Sequence, residues 1–337
     1  MKATRLNYCQ YLLVSQINYT LTNFAEHTET MSHDAINRYL NKDQISGSMI
    51  WHNVRDDMVL SSKGYLVFDD TVIDKNFSHK IALVRHQYSG NAHGVIKGIG
   101  VVNCVYVNPE TELFWIIDYR VYDPQGDKKS KLDHVQDMLT NVVRHKCLPF
   151  AAVLMDTWYA TRELMRLIES LQLCYYCPIK ANRLVDESNG QQAYRQVQTL
   201  QWSEKELQSG KTIHIKDFPK GHRVKLFRLV MSTRRTDFVV TNDLTQHSSS
   251  DADTVCAWRW KVEQFHRETK QLTGLEKCQC RKARIQRNHI ACAYLVWIRL
   301  AQLARKTCQS LYRIKHGLLD DYLSQQLKKP TILMRFA

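Results

Sequence analysis

The sequence predicts an α/β protein whose mixed sheet has flanking helices, preceded by an N-terminal helical subdomain. Two observations predict this fold class. Apolar, strand-like runs alternate with segments whose apolar residues recur at helical spacing. A polar segment, rich in Gln, Ser and Lys and with Gly190, Gly210 and Gly221 as turn points, then interrupts the alternation and indicates a β-rich insertion before the last core helix.

The expected parts follow from these changes of pattern. They are a helical N-terminal domain with a possible DNA-binding role (1–58), a core in two segments (59–181 and 237–306), the insertion (182–236) and a C-terminal helical tail (307–337).

The composition excludes several protein classes. With 44% hydrophobic and 24% charged residues, the chain is typical of a globular protein. No apolar run reaches the roughly 18 residues of a membrane span, and residues 1–6 lack the apolar core of a signal peptide. We therefore expect a cytoplasmic protein with no membrane partner. Its ten cysteines should be free thiols, although Cys174-x2-Cys177 and Cys278-x-Cys280 leave a zinc site as an alternative.

Positive charge is concentrated near the C-terminus. From Asp253 onward the chain has 17 Lys and Arg against 6 Asp and Glu, which is +11 of the net +14. Such a density favours a polyanionic partner, usually nucleic acid. The strongest candidates for binding DNA phosphates are four residues in one short stretch, Arg281, Lys282, Arg284 and Arg287. The alternative is that they form a solvated surface.

The N-terminal residues predict three helices. Apolar spacing predicts the first over Tyr8–Glu26, and the second begins after Ser32, a suitable N-cap. The third covers Met49–Val54. Short helices with tight turns are compatible with a helix-turn-helix DNA reader. A small helical subdomain that packs on the main body is an equally good interpretation.

The core and insertion follow in order. Strands are predicted over Tyr65–Phe68, Gly98–Val107, Leu113–Tyr122, Phe150–Met155, Cys174–Ile179, Thr212–Lys216, Arg223–Val230 and Phe238–Thr241. Helices are predicted over Lys129–His145, Arg162–Leu173, Asp251–Leu272 and Ala283–Leu303.

Two carboxylates follow predicted core strands. Asp70 ends the first strand and Asp156 ends the apolar run Phe150–Met155. Functional side chains often gather where the strands of an α/β sheet end. For Asp156, an N-cap of the following helix is the alternative role.

A third carboxylate lies on a late helix. At about 100° per residue, Arg259, Glu263, His266 and Lys270 fall on one narrow stripe beside an apolar face. The alternative is a lattice of surface ion pairs. Three carboxylates suit Mg²⁺, and a pair of such ions supports phosphoryl transfer. The basic side chains of the stripe would then hold DNA phosphates beside the metals.

Three motifs carry a family resemblance. They are Phe68-Asp69-Asp70-Thr71, then Leu154-Met155-Asp156-Thr157-Trp158-Tyr159-Ala160, then Arg259-x3-Glu263-x6-Lys270. In this order they resemble the DDE transposases of bacterial insertion sequences, of the insertion-sequence-four type. That family's signature is Tyr-x2-Arg-x3-Glu-x6-Lys, and Cys256 stands at the Tyr position here.

The resemblance implies a ribonuclease-H-like core interrupted by a β-rich insertion. It implies catalytic and metal-binding roles for Asp70, Asp156 and Glu263, with Asp69 as the alternative to Asp70. Two Mg²⁺ ions per active site, which Mn²⁺ can replace, would serve cut-and-paste cleavage and strand transfer. The implied partners are the transposon's terminal inverted repeats, target DNA and a second copy of the chain, so the protein would associate with the nucleoid when bound to DNA. A domesticated or inactive DNA-binding descendant and another ribonuclease-H-like nuclease are the alternatives.

Overall fold

The computed structural model describes residues 3–78, 80–90, 92–232 and 235–332. The chain divides into two compact units. The terminal unit comprises Met1–Asp57, Val72–Ile99 and Phe265–Ala337, and the sheet unit comprises Met58–Thr71 and Gly100–Gln264.

The helices of the described residues are, in chain order, α1 (Arg5–Val14), α2 (Leu21–Glu26), α3 (His33–Lys42), α4 (Gly47–Val54), α5 (Lys131–Asn141), α6 (Arg162–Ser170), α7 (Glu204–Ser209), α8 (Ser249–Ala257), α9 (Trp260–Leu272), α10 (Ala283–Thr307), α11 (Leu311–Gly317) and α12 (Asp320–Lys328). The strands are β1 (Tyr65–Asp74), β2 (Arg85–Ser89), β3 (Gly94–Asn108), β4 (Leu113–Val121), β5 (Ala152–Met155), β6 (Cys174–Ile179), β7 (Leu184–Asp186), β8 (Arg195–Gln196), β9 (Lys211–Ile215), β10 (Val224–Ser232) and β11 (Arg235–Thr241).

Three parallel strands form the centre of the sheet unit. β5 pairs in parallel with β1 on one side and with β6 on the other. β3 lies beyond β1 and pairs antiparallel with β4. The central strands are apolar on both faces, since Leu66, Val67, Val153 and Leu154 are all buried. α5, α6 and α8 pack against strands of this unit, so the expected mixed sheet with flanking helices is confirmed.

The segment expected as an insertion extends this same sheet. β11 pairs antiparallel with β6, and β10 pairs with β11. β9, β7 and β8 continue the order outward. The segment is therefore β-rich, as expected, but its hydrogen bonds make it the edge of the main sheet. The sequence pattern did not indicate this, because it contains no information about which strands pair.

The terminal unit begins with a departure from the predicted helices. One helix was expected over Tyr8–Glu26, but α1 ends at Val14 and α2 begins at Leu21. The hydroxyl of Tyr11 closes the turn by hydrogen bonds to the carbonyl oxygens of Asn18 (2.8 Å) and Thr20 (2.9 Å). Ile17, one of the apolar residues at helical spacing in this range, is 87% exposed. Local hydrogen bonds thus outweigh the apolar spacing here.

The N-terminal helices pack on α10. α1, α3 and α4 all contact it, and one buried side chain, Asn288, joins three backbone groups. Its amide nitrogen donates to the carbonyl oxygens of Leu40 and Asp43, both at 2.7 Å, and its oxygen accepts from the amide of Ile45 at 3.2 Å. The N-terminal helices and α10 thus belong to one compact unit. Ser32 caps α3 as predicted, by accepting from the amide of Ala35.

A membrane-spanning segment was not expected. In the part of the chain that the structure describes, no helix combines the length and apolarity that a membrane crossing needs.

Candidate active site

The two neighbouring aspartates lie inside a strand. β1 was expected to end at Phe68, but it continues to Asp74 because Val72 and Ile73 are also buried. Successive side chains of a strand point to opposite faces. Asp69 and Asp70 therefore face different sides of the sheet, and only one of them can lie beside Asp156.

The strand register indicates that Asp69, and not Asp70, lies beside Asp156. In the parallel pair β1–β5, Phe68 is opposite Met155, so the residues that follow are Asp69, which is still in β1, and Asp156, which comes directly after the end of β5. Parallel neighbours in register point to the same face of a sheet. Removal of the Asp69 carboxyl group from water, together with the negative charges of Asp70 and Asp156, raises the pKa of Asp69 to about 8. Two carboxylates are therefore close together on this face.

Asp70 has a different environment. Its carboxylate accepts a hydrogen bond from the Lys131 ammonium of α5 at 2.6 Å and another from the Tyr159 hydroxyl at 2.7 Å. The Lys131 and Asp70 side chains are only 12% and 17% exposed. Asp70 thus has a cationic and a neutral partner of its own, which the sequence did not indicate.

The Asp156 side chain does not cap a helix. It stands at the N-cap position of a short 3₁₀ turn, Thr157–Tyr159, but makes no capping hydrogen bond. Instead, its carboxylate accepts from the guanidinium of Arg259 at 3.1 Å. The side chain of Asp156 therefore does not take the alternative role of a helix N-cap in this structure.

Arg259 lies at a break between two helices. A single helix was expected over Asp251–Leu272, but α8 ends at Ala257 and α9 begins at Trp260. Two backbone hydrogen bonds between residues three apart span the break. The amide of Arg259 donates to the carbonyl oxygen of Cys256, and the amide of Val262 donates to the carbonyl oxygen of Arg259. The contact between Arg259 and Asp156 holds the start of α9 beside Asp156. Glu263 is exposed in the first turn of that helix.

His266 does not face solvent. Its side chain is buried, and this burial, followed by the charge of Lys270, lowers its pKa to about 3. A buried, neutral imidazole cannot contact a DNA phosphate, so the role expected for it does not fit the structure. Helical spacing places His266 on the polar stripe, next to the apolar face of α9. In the structure, its side chain packs with the buried side of the helix.

The other basic residues expected to bind DNA differ in their contacts and in their exposure to solvent. The Lys270 ammonium donates to the carbonyl oxygen of Val72 at 2.8 Å and pairs with Glu276 at 3.4 Å. The basic stretch surrounds the start of α10, where Arg281, Lys282 and Arg284 are exposed and Arg287 is half-buried.

The structure brings together Asp69, Asp156 and Arg259, with Asp70, Lys131 and Tyr159 next to them. Within the described residues, no group of three or more His, Cys, Asp or Glu is placed to hold a metal ion. Glu263 therefore does not close a ligand set with the two aspartates here, and the zinc alternative at Cys278 and Cys280 finds no support. Only the register of β1 and β5 could have favoured Asp69 over Asp70, because alternation along β1 decides which aspartate faces Asp156.

Comparison with known proteins identifies the family. The sequence pattern of the family described as "Transposase DDE domain" matches residues 62–298, a stretch that includes all the carboxylates above. None of the curated proteins matches the chain.

One solved transposase structure has a similar fold. The piggyBac transposase, in a synaptic complex with hairpin DNA, has a TM-score of 0.50 at 11% identity, over 97% of this chain and 73% of that one. Endonuclease V of Ciona intestinalis, in complex with DNA, scores 0.31 at 10% identity, over 65% of this chain and 96% of its own. The mixed sheet is thus of the ribonuclease-H-like kind found in transposases, and the family match shows that the chain belongs to the DDE transposases.

Proposed function

We propose that this transposase cleaves DNA at the ends of an insertion sequence and joins the freed strand to a target, by a cut-and-paste route. The observation that carries the proposal is the pairing of two carboxylates by the parallel register of β1 and β5. If Glu263 joins them when a metal ion and DNA bind, the three would supply the oxygen-rich set that phosphoryl transfer with divalent ions uses. The family's insertion-sequence-four branch is the one whose motif the chain matches at Arg259, Glu263 and Lys270.

The donor set fits Mg²⁺. The ligands are carboxylate oxygens, which this ion prefers. Burial, and then the negative charges of Asp70 and Asp156, raise the pKa of Asp69, and a divalent cation would relieve the crowding of these charges. Asp69, Asp156 and Glu263 would hold the metal, with Glu263 approaching from the exposed first turn of α9. Bound ions, two in number and replaceable by Mn²⁺, would activate the attacking oxygen and stabilise the leaving one.

Within this proposal, Asp69 rather than Asp70 is the first catalytic carboxylate. Asp69 shares a face with Asp156, whereas Asp70 accepts hydrogen bonds from Lys131 and Tyr159 on the opposite face. An oxygen that already neutralises an ammonium is a poorer ligand for a metal ion. Asp70 then acts as a positioning residue that fixes β1 against α5.

The basic side chains would bind the DNA. Arg259, next to the carboxylates, can hold a phosphate by two parallel hydrogen bonds when Asp156 turns to a metal. Lys270 and the exposed residues at the start of α10 would add contacts to the backbone of the inverted repeats and of target DNA. We also propose that two copies of the chain act together, one at each end of the element.

Strand cleavage tests the proposal. Purified protein is incubated with Mg²⁺ and DNA that ends in the inverted repeats flanking its gene. We expect the wild type to nick the ends and to transfer the 3′ strand, and Asp156→Asn and Glu263→Gln to lose both activities while binding the ends. Asp253→Asn, an exposed carboxylate on α8, is the matched control and should remain active.

The same assay separates the alternatives. An inactive descendant would bind the ends without nicking them in any metal ion. A nuclease of another class would cut DNA without joining the 3′ strand to a target.

A further inference from the structure

The terminal unit contains an antiparallel ribbon that the proposed chemistry does not use. The β2–β3 ribbon consists of β2 and the residues of β3 that pair with it, 94–98. β2 stands at one end of the strand order, so one of its edges has no neighbouring strand among the described residues. The amide of Lys75, directly after β1, donates to the carbonyl oxygen of Lys97 at 2.9 Å. The ribbon therefore extends past the end of β1.

The two faces of the ribbon differ in exposure. Directly opposite residues of an antiparallel pair share a face, and successive residues alternate between faces. His86 and Tyr88 therefore share one face with their partners, Lys97 and Val95. On this outward face, Tyr88 is 63% and Val95 67% exposed, and His86 is exposed as well. The other face is turned to the protein, where Ser89 is buried.

The base of the ribbon is held in place by hydrogen bonds. The side-chain oxygen of Asn76 accepts from the amide of Lys97 at 3.0 Å. The buried ammonium of Lys75 donates to the carbonyl oxygens of Glu276 (2.6 Å) and Cys278 (2.7 Å). An aromatic residue opposite a β-branched one, as on the outward face, also stabilises a strand pair. The outward face therefore needs little ordering when a partner binds.

The charge of this segment is of one sign. From Lys75 to Pro109 the sequence has four Lys and Arg, three His and no Asp or Glu. Lys97 lies on the outward face, and Lys80, before β2, is exposed. Such a surface attracts a polyanion. Basic residues also disfavour the pairing of an edge strand with a second copy of itself, so the ribbon suits nucleic acid better than another copy of the chain.

The ribbon adjoins the basic stretch at the start of α10, within the same unit. The amide of Ala82, three residues before β2, donates to the carbonyl oxygen of Arg281 at 2.8 Å. Arg281, Lys282 and Arg284 are exposed. A duplex whose phosphates follow this stretch would therefore pass the ribbon.

We infer that the β2–β3 ribbon enters the major groove of DNA at the end of the element and contacts base edges with its outward face. The major groove admits a two-stranded ribbon, and each base pair presents a distinct pattern of donors, acceptors and methyl groups there. The imidazole of His86 and the hydroxyl of Tyr88 can donate and accept hydrogen bonds. Val95 suits a thymine methyl group, and Lys97 suits a guanine edge.

The inference rests on the proposed action of the protein at insertion-sequence ends. It adds sequence recognition to the phosphate contacts of α10, which carry no sequence information directly.

Binding to two duplexes of equal length tests the inference. One ends in the inverted repeat that flanks the gene, and the other has an unrelated sequence. The affinity of the full-length protein for each is measured by fluorescence anisotropy without divalent metal. We expect Tyr88→Ala to weaken binding to the repeat by about tenfold and to leave binding to the unrelated duplex unchanged. Tyr322→Ala is the matched control, because it removes a tyrosine of similar exposure, 57%, from α12. It should bind both duplexes as the wild type does.

Chemical protection shows which groove is occupied. Dimethyl sulfate methylates the N7 atom of guanine, which lies in the major groove. We expect the wild type to protect a group of guanines in the repeat. Tyr88→Ala and Lys97→Ala should lose protection at the same guanines, whereas Lys282→Ala should keep it.

Three results would overturn the inference. One is unchanged binding of Tyr88→Ala to both duplexes. Another is equal weakening for both, since the ribbon would then contact only the DNA backbone. The third is a change of oligomeric state in Tyr88→Ala without DNA, measured by sedimentation, because the ribbon would then be an interface between copies of the chain.

The outcome is separate from that of the proposed function. If the wild type cleaves the ends and Tyr88→Ala keeps the preference for the repeat, only this inference fails. A preference that depends on Tyr88, without any cleavage by the wild type, would contradict the proposed function and leave the role of the ribbon intact.

Discussion

At the scale of single residues, the surroundings of Asp70 support the positioning role that we propose for it. Its two oxygens are occupied by Lys131 and by Tyr159, whose ring is buried. A hydrogen bond to a charged group contributes more than one between neutral groups. These contacts therefore give β1 a fixed position, on which the placing of Asp69 depends.

Removal of one hydroxyl group tests this role. Tyr159→Phe keeps the buried ring and deletes the donor to Asp70, so we expect a loss of about 1.5–3 kcal/mol in the free energy of unfolding, measured by urea denaturation. Tyr194→Phe is the control. Its hydroxyl bonds to His214 from a side chain that is 41% exposed, where water can replace the bond. Equal effects from the two substitutions would show that Asp70 is not held in this way.

The sequence could not show which of the two neighbouring aspartates lies beside Asp156. The motif Asp69-Asp70-Thr71 predicts a catalytic carboxylate here, and the family resemblance favours Asp70. Asp69 faces Asp156 only because Phe68 and Met155 are opposite each other. A shift of one residue would exchange the faces of the two aspartates. Register is a property of two strands far apart in the chain, so neither motif alone could determine it.

At the scale of elements, regular helices were predicted well and their interruptions were not. α3, α4 and β6 were expected at or close to their observed bounds. The turn between α1 and α2 and the break between α8 and α9 were missed, since apolar spacing continues across both. The second break frees Arg259 from the helix and lets its guanidinium reach Asp156.

The start of α10 supplies a prediction about DNA binding. Lys282 and Arg284 are exposed, so each can release a counterion when it contacts a phosphate. We expect Lys282→Ala with Arg284→Ala to weaken binding to specific and unrelated duplexes alike. The dependence of log affinity on log salt concentration should flatten by about 0.9 for each lost contact. The control is the double variant Lys328→Ala with Lys329→Ala, at the exposed end of α12. If the Lys282 and Arg284 variant leaves the slope unchanged, those two side chains do not contact DNA phosphates.

At the scale of the whole molecule, the mixed sheet with flanking helices could be predicted from the alternation of strand and helix patterns. The order of its strands could not, and neither could the joining of residues 182–236 to the sheet through β11. Those features depend on backbone hydrogen bonds between distant segments, and similar polar, turn-rich sequences can form either a separate body or a sheet edge.

Two buried histidines predict how the protein responds to acid. Burial lowers the pKa of His266 to about 3 and that of His289 to about 4. In the unfolded chain both would titrate near their ordinary value of about 6.5. The unfolded state therefore binds more protons between these values, so stability is lost as the pH falls from 6.5 towards 4, by up to about 1.4 kcal/mol per pH unit for each histidine.

Chemical denaturation at pH 6.5, 5.5 and 4.5 measures this dependence. The variant His289→Gln removes one of the two groups, and we expect the loss of stability per pH unit to decrease. His33→Gln, at an exposed position, should leave the dependence as it is in the wild type. An identical slope in His289→Gln would mean that this imidazole is charged in the folded protein.

The most direct test of the account compares Asp69→Asn with Asp70→Asn in strand cleavage at the transposon ends, with Mg²⁺ and with end binding measured in parallel. If Asp69 and Asp156 form the catalytic pair, Asp69→Asn reduces cleavage to background while binding is retained. Asp70→Asn then keeps measurable cleavage, because it weakens only the contacts to Lys131 and Tyr159. Full activity of Asp69→Asn, with cleavage abolished in a folded Asp70→Asn, would contradict the assignment drawn from the register of β1 and β5.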